Sequence, residues 1–76
     1  MRLSVFNADA AMLALCQRAR VWLDGVEITD RCQVADDDAG VVVLLLRRAD
    51  GALELDGSGD PARVERYGRV RIEVTP

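Results

Sequence analysis

Histidine and lysine are both absent from this chain of 76 residues. Without histidine the commonest general base is missing, and most nucleophilic triads go with it. The two cysteines, Cys16 and Cys32, are too few for a disulfide scaffold, and without histidine they leave a structural zinc site short of ligands. No glycine-rich phosphate loop occurs; the glycines sit in turns. Ser58 and the cysteines have no base near them in sequence, and the carboxylates fall in turns and on polar strand positions. The reading is of a non-enzyme with no catalytic residue, no metal and no cofactor.

All ten basic residues are arginine, a bias that base composition in a GC-rich genome explains before any demand for guanidinium groups. They are also outnumbered, for the net charge is −3. Neither half of the chain has the basic excess that phosphate backbones require, so nucleic acid is not an expected partner. The remaining route to it is a local stripe of Arg63, Arg66, Arg69 and Arg71. No apolar run approaches a membrane span. The N-terminus has a superficial signal-peptide look, with Leu13-Ala14-Leu15-Cys16 in the place of a lipoprotein cleavage site. Asn7 and Asp9 interrupt the apolar segment, however, and bulky Leu15 stands where a small residue is needed. Free thiols in a bacterial cytoplasm, or in a virion, are the expected setting.

What is present reads as one small β-rich domain over residues 1–76, with a helical segment about 8–19 and a β-meander about 20–75. Arg20–Thr29 carries the clearest signal. Asp24-Gly25 between two runs rich in β-branched residues predicts a two-residue hairpin turn, since both central positions need φ > 0. That turn pairs Leu23 with Val26, Trp22 with Glu27, Val21 with Ile28 and Arg20 with Thr29. Val21, Leu23, Val26 and Ile28 then share an apolar face, and Trp22 lies on the polar one. The alternatives for Trp22 are a core residue under a covering element and a binding anchor flanked by Arg20.

Upstream, Leu3–Phe6 reads as a short strand. Asn7 or Asp9 can cap a helix whose apolar face is Met12, Leu15, Cys16 and Ala19. Downstream, Asp30–Ala35 alternates, with Cys32 and Val34 expected on one side. Asp36-Asp37-Asp38 reads as a solvated acidic turn rather than an ion site. Val41–Leu46 is the one continuous apolar run, so both its faces need cover. The N-terminal helix and another subunit are the two candidates, and Val41, Val43 and Leu45 are accordingly candidate interaction residues. A four-residue turn at Arg48–Gly51 sets Leu46 opposite Leu53 and Leu44 opposite Leu55. Asp56–Pro61 is an exposed loop whose calcium-loop spacing fails at Pro61 and Tyr67. Residues 62–67 read equally as a helical turn or a strand. Arg69–Thr75 is a strand with Val70, Ile72 and Val74 inward. The fold class is mainly β: a small antiparallel sandwich or partly open barrel of five to six strands with one short N-terminal helix.

The run Val21–Thr29, then Ala35-Asp36-Asp37, Gly40-Val41-Val42, the Arg-x-x-Asp-Gly turn and Gly68-Arg69-Val70-Arg71-Ile72, resembles small β-rich proteins of bacteriophage and prophage genomes. Those proteins are commonly encoded among genes for virion structure and assembly. The likeness covers roughly residues 20–74, and the N-terminal segment departs from it. It implies a context, a phage-type structural or assembly protein, and brings no site residues. The first expectation is therefore protein–protein contact, by self-association or with a phage structural protein, through Trp22 and the Val41–Leu46 strand. The second is a monomeric adaptor or inhibitor of a host protein acting through its acidic turns.

Overall fold

The computed structural model describes residues 1–76 and contains two antiparallel sheets with one helix against them. β1 (Arg2–Ser4) leads through Asn7, at φ 52, into α1 (Ala10–Arg18). Asp9 is the N-cap, its side chain accepting from the Met12 N–H at 2.8 Å. Met12, Leu15 and Cys16 are half-buried along the expected face, and Ala19 is buried just beyond the helix.

β2 (Ala19–Leu23) and β3 (Val26–Glu27) form the hairpin. Asp24 at φ 49 and Gly25 at φ 83 make the predicted turn, and Leu23 pairs with Val26 and Trp22 with Glu27. The Ile28 N–H still donates to the Val21 carbonyl at 2.9 Å. Thr29 then departs into a 3-10 turn (Thr29–Arg31) instead of facing Arg20, and its hydroxyl accepts from the Val21 N–H at 2.9 Å.

β4 (Cys32–Asp36) and β5 (Val41–Leu45) follow, with β6 (Arg63–Tyr67) and β7 (Val70–Val74) completing the set. One sheet runs β1-β4-β5-β6 and the other β3-β2-β7. The strand order is not that of a simple meander, because β1 pairs with β4 and β7 returns to β2. Val21, Ile28, Ala35, Val42, Leu44 and Val70 form the core between the sheets, with Leu23, Cys32, Val64 and Ile72 packed on it.

Two expected registers are corrected. Cys32 pairs with Leu44 but Val34 with Val43, a shift at Gln33. A bulge of one residue reverses the alternation, so Cys32 faces the core and Val34 the opposite side. The turn after β5 is also different: Arg47 bridges Leu53. The Gly51 N–H donates to the Arg48 carbonyl at 2.9 Å, and the Arg48 N–H to the Ala52 carbonyl at 2.7 Å. With Gly51 at φ 88 this is a three-residue loop with a left-handed glycine, a common hairpin form that moves the pairing by one. Leu44 meets Val64 rather than Leu55, and Leu53 and Leu55 are exposed. Residues 46–60 form an excursion outside the core, every one of them exposed.

Candidate functional site

The four residues singled out from the sequence lie on two separate surfaces. Trp22 pairs with Glu27 on one side and Arg71 on the other, and Arg20 with Glu73, so these five share the outer face of the three-stranded sheet. Val41, Val43 and Leu45 alternate with the buried Val42 and Leu44, which places them on the outer face of the four-stranded sheet. The fold does not bring the two groups together.

Trp22 is not a core residue. It is half-buried, with the Arg71 guanidinium 4.2 Å from its ring centroid and that of Arg20 at 5.5 Å. The β pleat delivers this arrangement, since side chains directly opposite one another on antiparallel strands come within reach on one face. Arg20 is held in turn by Glu27, donating at 3.0 and 2.8 Å, and the Thr29 hydroxyl donates to the same carboxylate at 2.8 Å. The Arg20 guanidinium and then the Thr29 hydroxyl hold the Glu27 carboxyl below its ordinary range, and Glu27 raises Arg20. Trp22, Asp24, Gly25, Arg69 and Arg71 line an open cleft of about 710 Å³. Arg20 is already taken by Glu27, so Arg69 and Arg71 are the cationic residues of the cleft beside the ring. From the sequence, Arg69 and Arg71 were named within a local arginine stripe with Arg63 and Arg66 as a route to nucleic acid, not as neighbours of Trp22. Their alternation with Val70 and Ile72 marked them otherwise only as outward-facing.

The Val41, Val43, Leu45 stripe is half-buried, and α1 does not cover it: the helix packs against β1. The cover comes from side chains of neighbouring strands. The Arg63 guanidinium on β6 donates to the Gln33 side chain on β4 at 2.7 Å, a bond that has to pass over β5 between them. Phe6, from the loop after β1, stacks on the same guanidinium at 5.1 Å. At the other end of the stripe Arg2 meets Asp36 at 3.4 Å, and the Tyr67 hydroxyl donates to Glu65 at 2.6 Å, which raises the Tyr67 pKa. The rim thus carries both signs of charge.

The carboxylates of Asp36, Asp37 and Asp38 lie within 4.8 Å of one another, but they already have donors. Asp36 accepts from the Ala39 and Asp38 N–H groups at 2.9 and 3.0 Å, closing the β4–β5 turn. The Met1 ammonium donates to Asp37 at 2.6 Å and to Asp38 at 3.0 Å, and those two bonds raise it to about 10. Cys16 and Cys32 both border a small apolar cavity of about 40 Å³ under the helix. Burial pushes the Cys32 thiol up to about 11. No helix is long and apolar enough to cross a membrane. No known protein family, curated protein or solved structure matches the chain.

Proposed function

We propose that this chain is a non-enzymatic structural or assembly protein that works by protein–protein contact, chiefly with further copies of itself. The observation that carries the reading is the central strand of the larger sheet. Its outward side chains Val41, Val43 and Leu45 are half-exposed beneath a single strap of Phe6, Arg63 and Gln33. A central strand that is apolar on both faces is otherwise packed on both. A rim that pairs Arg2 with Asp36 and sets Arg63 beside Glu65 can meet a second copy of itself with opposite charges facing. The size of the core supports the same reading. Only nine residues are buried, and a domain this small gains stability from association.

Phage-type virion assembly is the context we attach to this function, on the likeness over residues 20–74, with the bacterial cytoplasm or the virion as its place. The test is Leu45→Glu, followed by light scattering and circular dichroism. The variant should keep its β signal and lose self-association through this face, and an unchanged oligomer overturns this use of the stripe. The second reading, a monomeric adaptor or inhibitor, draws on the cleft beside Trp22. It is favoured if the chain stays monomeric at every concentration.

A further inference from the structure

β7 is a free edge of the three-stranded sheet, with β2 its one neighbour. The phase of that ladder is fixed at both ends. The Asp24 N–H donates to the Arg69 carbonyl at 2.9 Å, and the Thr75 N–H to the Arg18 carbonyl at 2.9 Å. Hydrogen-bonded positions alternate along an antiparallel pair, so Arg71 and Glu73 direct their peptide groups at β2. The peptide groups of Val70, Ile72 and Val74 point out to the open edge.

The strand reads Val-Arg-Ile-Glu-Val. Turned end for end it becomes Val-Glu-Ile-Arg-Val, with apolar residues on apolar positions and the two charges exchanged. We infer that a second copy of this chain pairs antiparallel with β7, centred on Ile72, joining two three-stranded sheets into one of six strands. In this register Ile72 meets the partner's Ile72 and Val70 meets the partner's Val74. Arg71 meets the partner's Glu73, and the reverse pair repeats it. All three outward-facing peptide positions fall in hydrogen-bonding phase. Both side chains are more than half exposed and their own contact is a long 3.7 Å, so the cross-seam pair competes only with that contact and with the stacking of Arg71 on Trp22.

The pattern also rejects its neighbours. A slip of two residues, the smallest that keeps the bonding phase, sets Arg71 against the partner's Arg71 one way and Glu73 against the partner's Glu73 the other. Like charges directly opposite oppose pairing. The other long edge, β6, fails the same test: its open positions are Arg63, Glu65 and Tyr67, and centred pairing sets Glu65 against the partner's Glu65. β1 has three residues and β3 two, short for a stable seam. The inference deepens the assembly reading by naming the partner and a seam distinct from the β5 face. Two different self-contacts on one chain extend beyond a dimer.

Sedimentation velocity on the full chain over a wide concentration range tests it, with circular dichroism to confirm that each variant is folded. Arg71→Glu and Glu73→Arg should each weaken association roughly tenfold or more, and the double exchange should restore it. Val74→Pro removes an N–H that faces the open edge rather than β2, so it should block the seam and leave the ladder to β2 intact. If Val74→Pro unfolds the chain, the charge-exchange set decides alone. Association lost in Leu45→Glu but unchanged in Val74→Pro and in both single reversals overturns the seam and upholds the assembly reading. The opposite pattern upholds the seam and overturns the β5 stripe. A wild-type monomer at all concentrations overturns both.

Discussion

Asp24 and Arg69 hold each other by two hydrogen bonds across 45 residues of chain. The Asp24 N–H donates to the Arg69 carbonyl at 2.9 Å, and the Arg69 N–H donates to the Asp24 carboxylate at 2.8 Å. The hairpin tip is thereby fastened to the crossover between the two sheets. Asp24 does this at φ 49, a conformation that costs most residues about 1–2 kcal/mol but that Asp and Asn tolerate. Asp24→Ala should destabilise the chain by about 2 kcal/mol in urea unfolding, through strain and a lost bond. Asp24→Asn, which keeps the acceptor, should stay near wild type.

Gly40 and Gly68 pass backbone to backbone where β5 starts and β6 ends. A Cβ on Gly40, at φ 68, would sit 2.8 Å from the Gly68 carbonyl oxygen. Backbone cannot give way as a flexible side chain can, so Gly40→Ala should cost about 2 kcal/mol or more. Gly57→Ala, where the added methyl meets nothing, should fall within about 0.5 kcal/mol of wild type. Paired denaturation curves check both.

Trp22 is the chain's single tryptophan, so its fluorescence reports on its arginine neighbours directly. Arg71→Ala should change the emission and lower stability by about 0.5–1 kcal/mol, the usual worth of a cation–π contact at an exposed site. Arg66→Ala, on the other sheet, should leave the emission unchanged.

Cys32 holds its proton to about 11, against an ordinary 9.0, because burial disfavours the thiolate. The folded chain therefore keeps a proton that the unfolded chain releases. The stability this confers is complete below pH 9 and declines as pH rises from 9 towards 11. Cys32 should resist alkylation at pH 8 until the chain is unfolded, which mass spectrometry of the labelled peptide will show.

Three carboxylates pull the other way. Asp36 is held below its ordinary range first by the Ala39 N–H and then by Arg2. Glu27 is held down first by Arg20, and Asp56 by the Ser58 hydroxyl. Their contribution is present above the ordinary carboxylate range and is lost as pH falls through the lowered values. Acid titration followed by circular dichroism should show this loss, and Glu27→Gln should flatten it.

The sequence was most legible where one local rule decided the outcome. Asp24-Gly25 set the hairpin register because a two-residue primed turn admits few alternatives, and Val70–Val74 alternated cleanly. Legibility failed where one inserted residue changes everything downstream. The shift at Gln33 turned Val34 away from Cys32, and the left-handed Gly51 moved Leu53 out of line with Leu46. The first has no distinctive residue signature, and at the second Gly51 suits a three-residue loop as well as a four-residue one. For the candidate site, the sequence marked Val41, Val43 and Leu45 as needing cover. It had no means of naming Phe6, Arg63 and Gln33, which meet over β5 from three distant segments. The same limit hid Arg71 above Trp22, since strand pairing across 49 positions is a tertiary choice rather than a local one.

The excursion between β5 and β6 has a practical consequence. Its ends already stand side by side, with the Leu46 N–H donating to the Ala62 carbonyl at 3.0 Å, and nothing between 46 and 60 is buried. A tight turn spliced in its place would leave both strands registered as they are. The segment is thus a cassette, free to be lengthened, exchanged or fitted with a tag while the sandwich beneath it goes on folding.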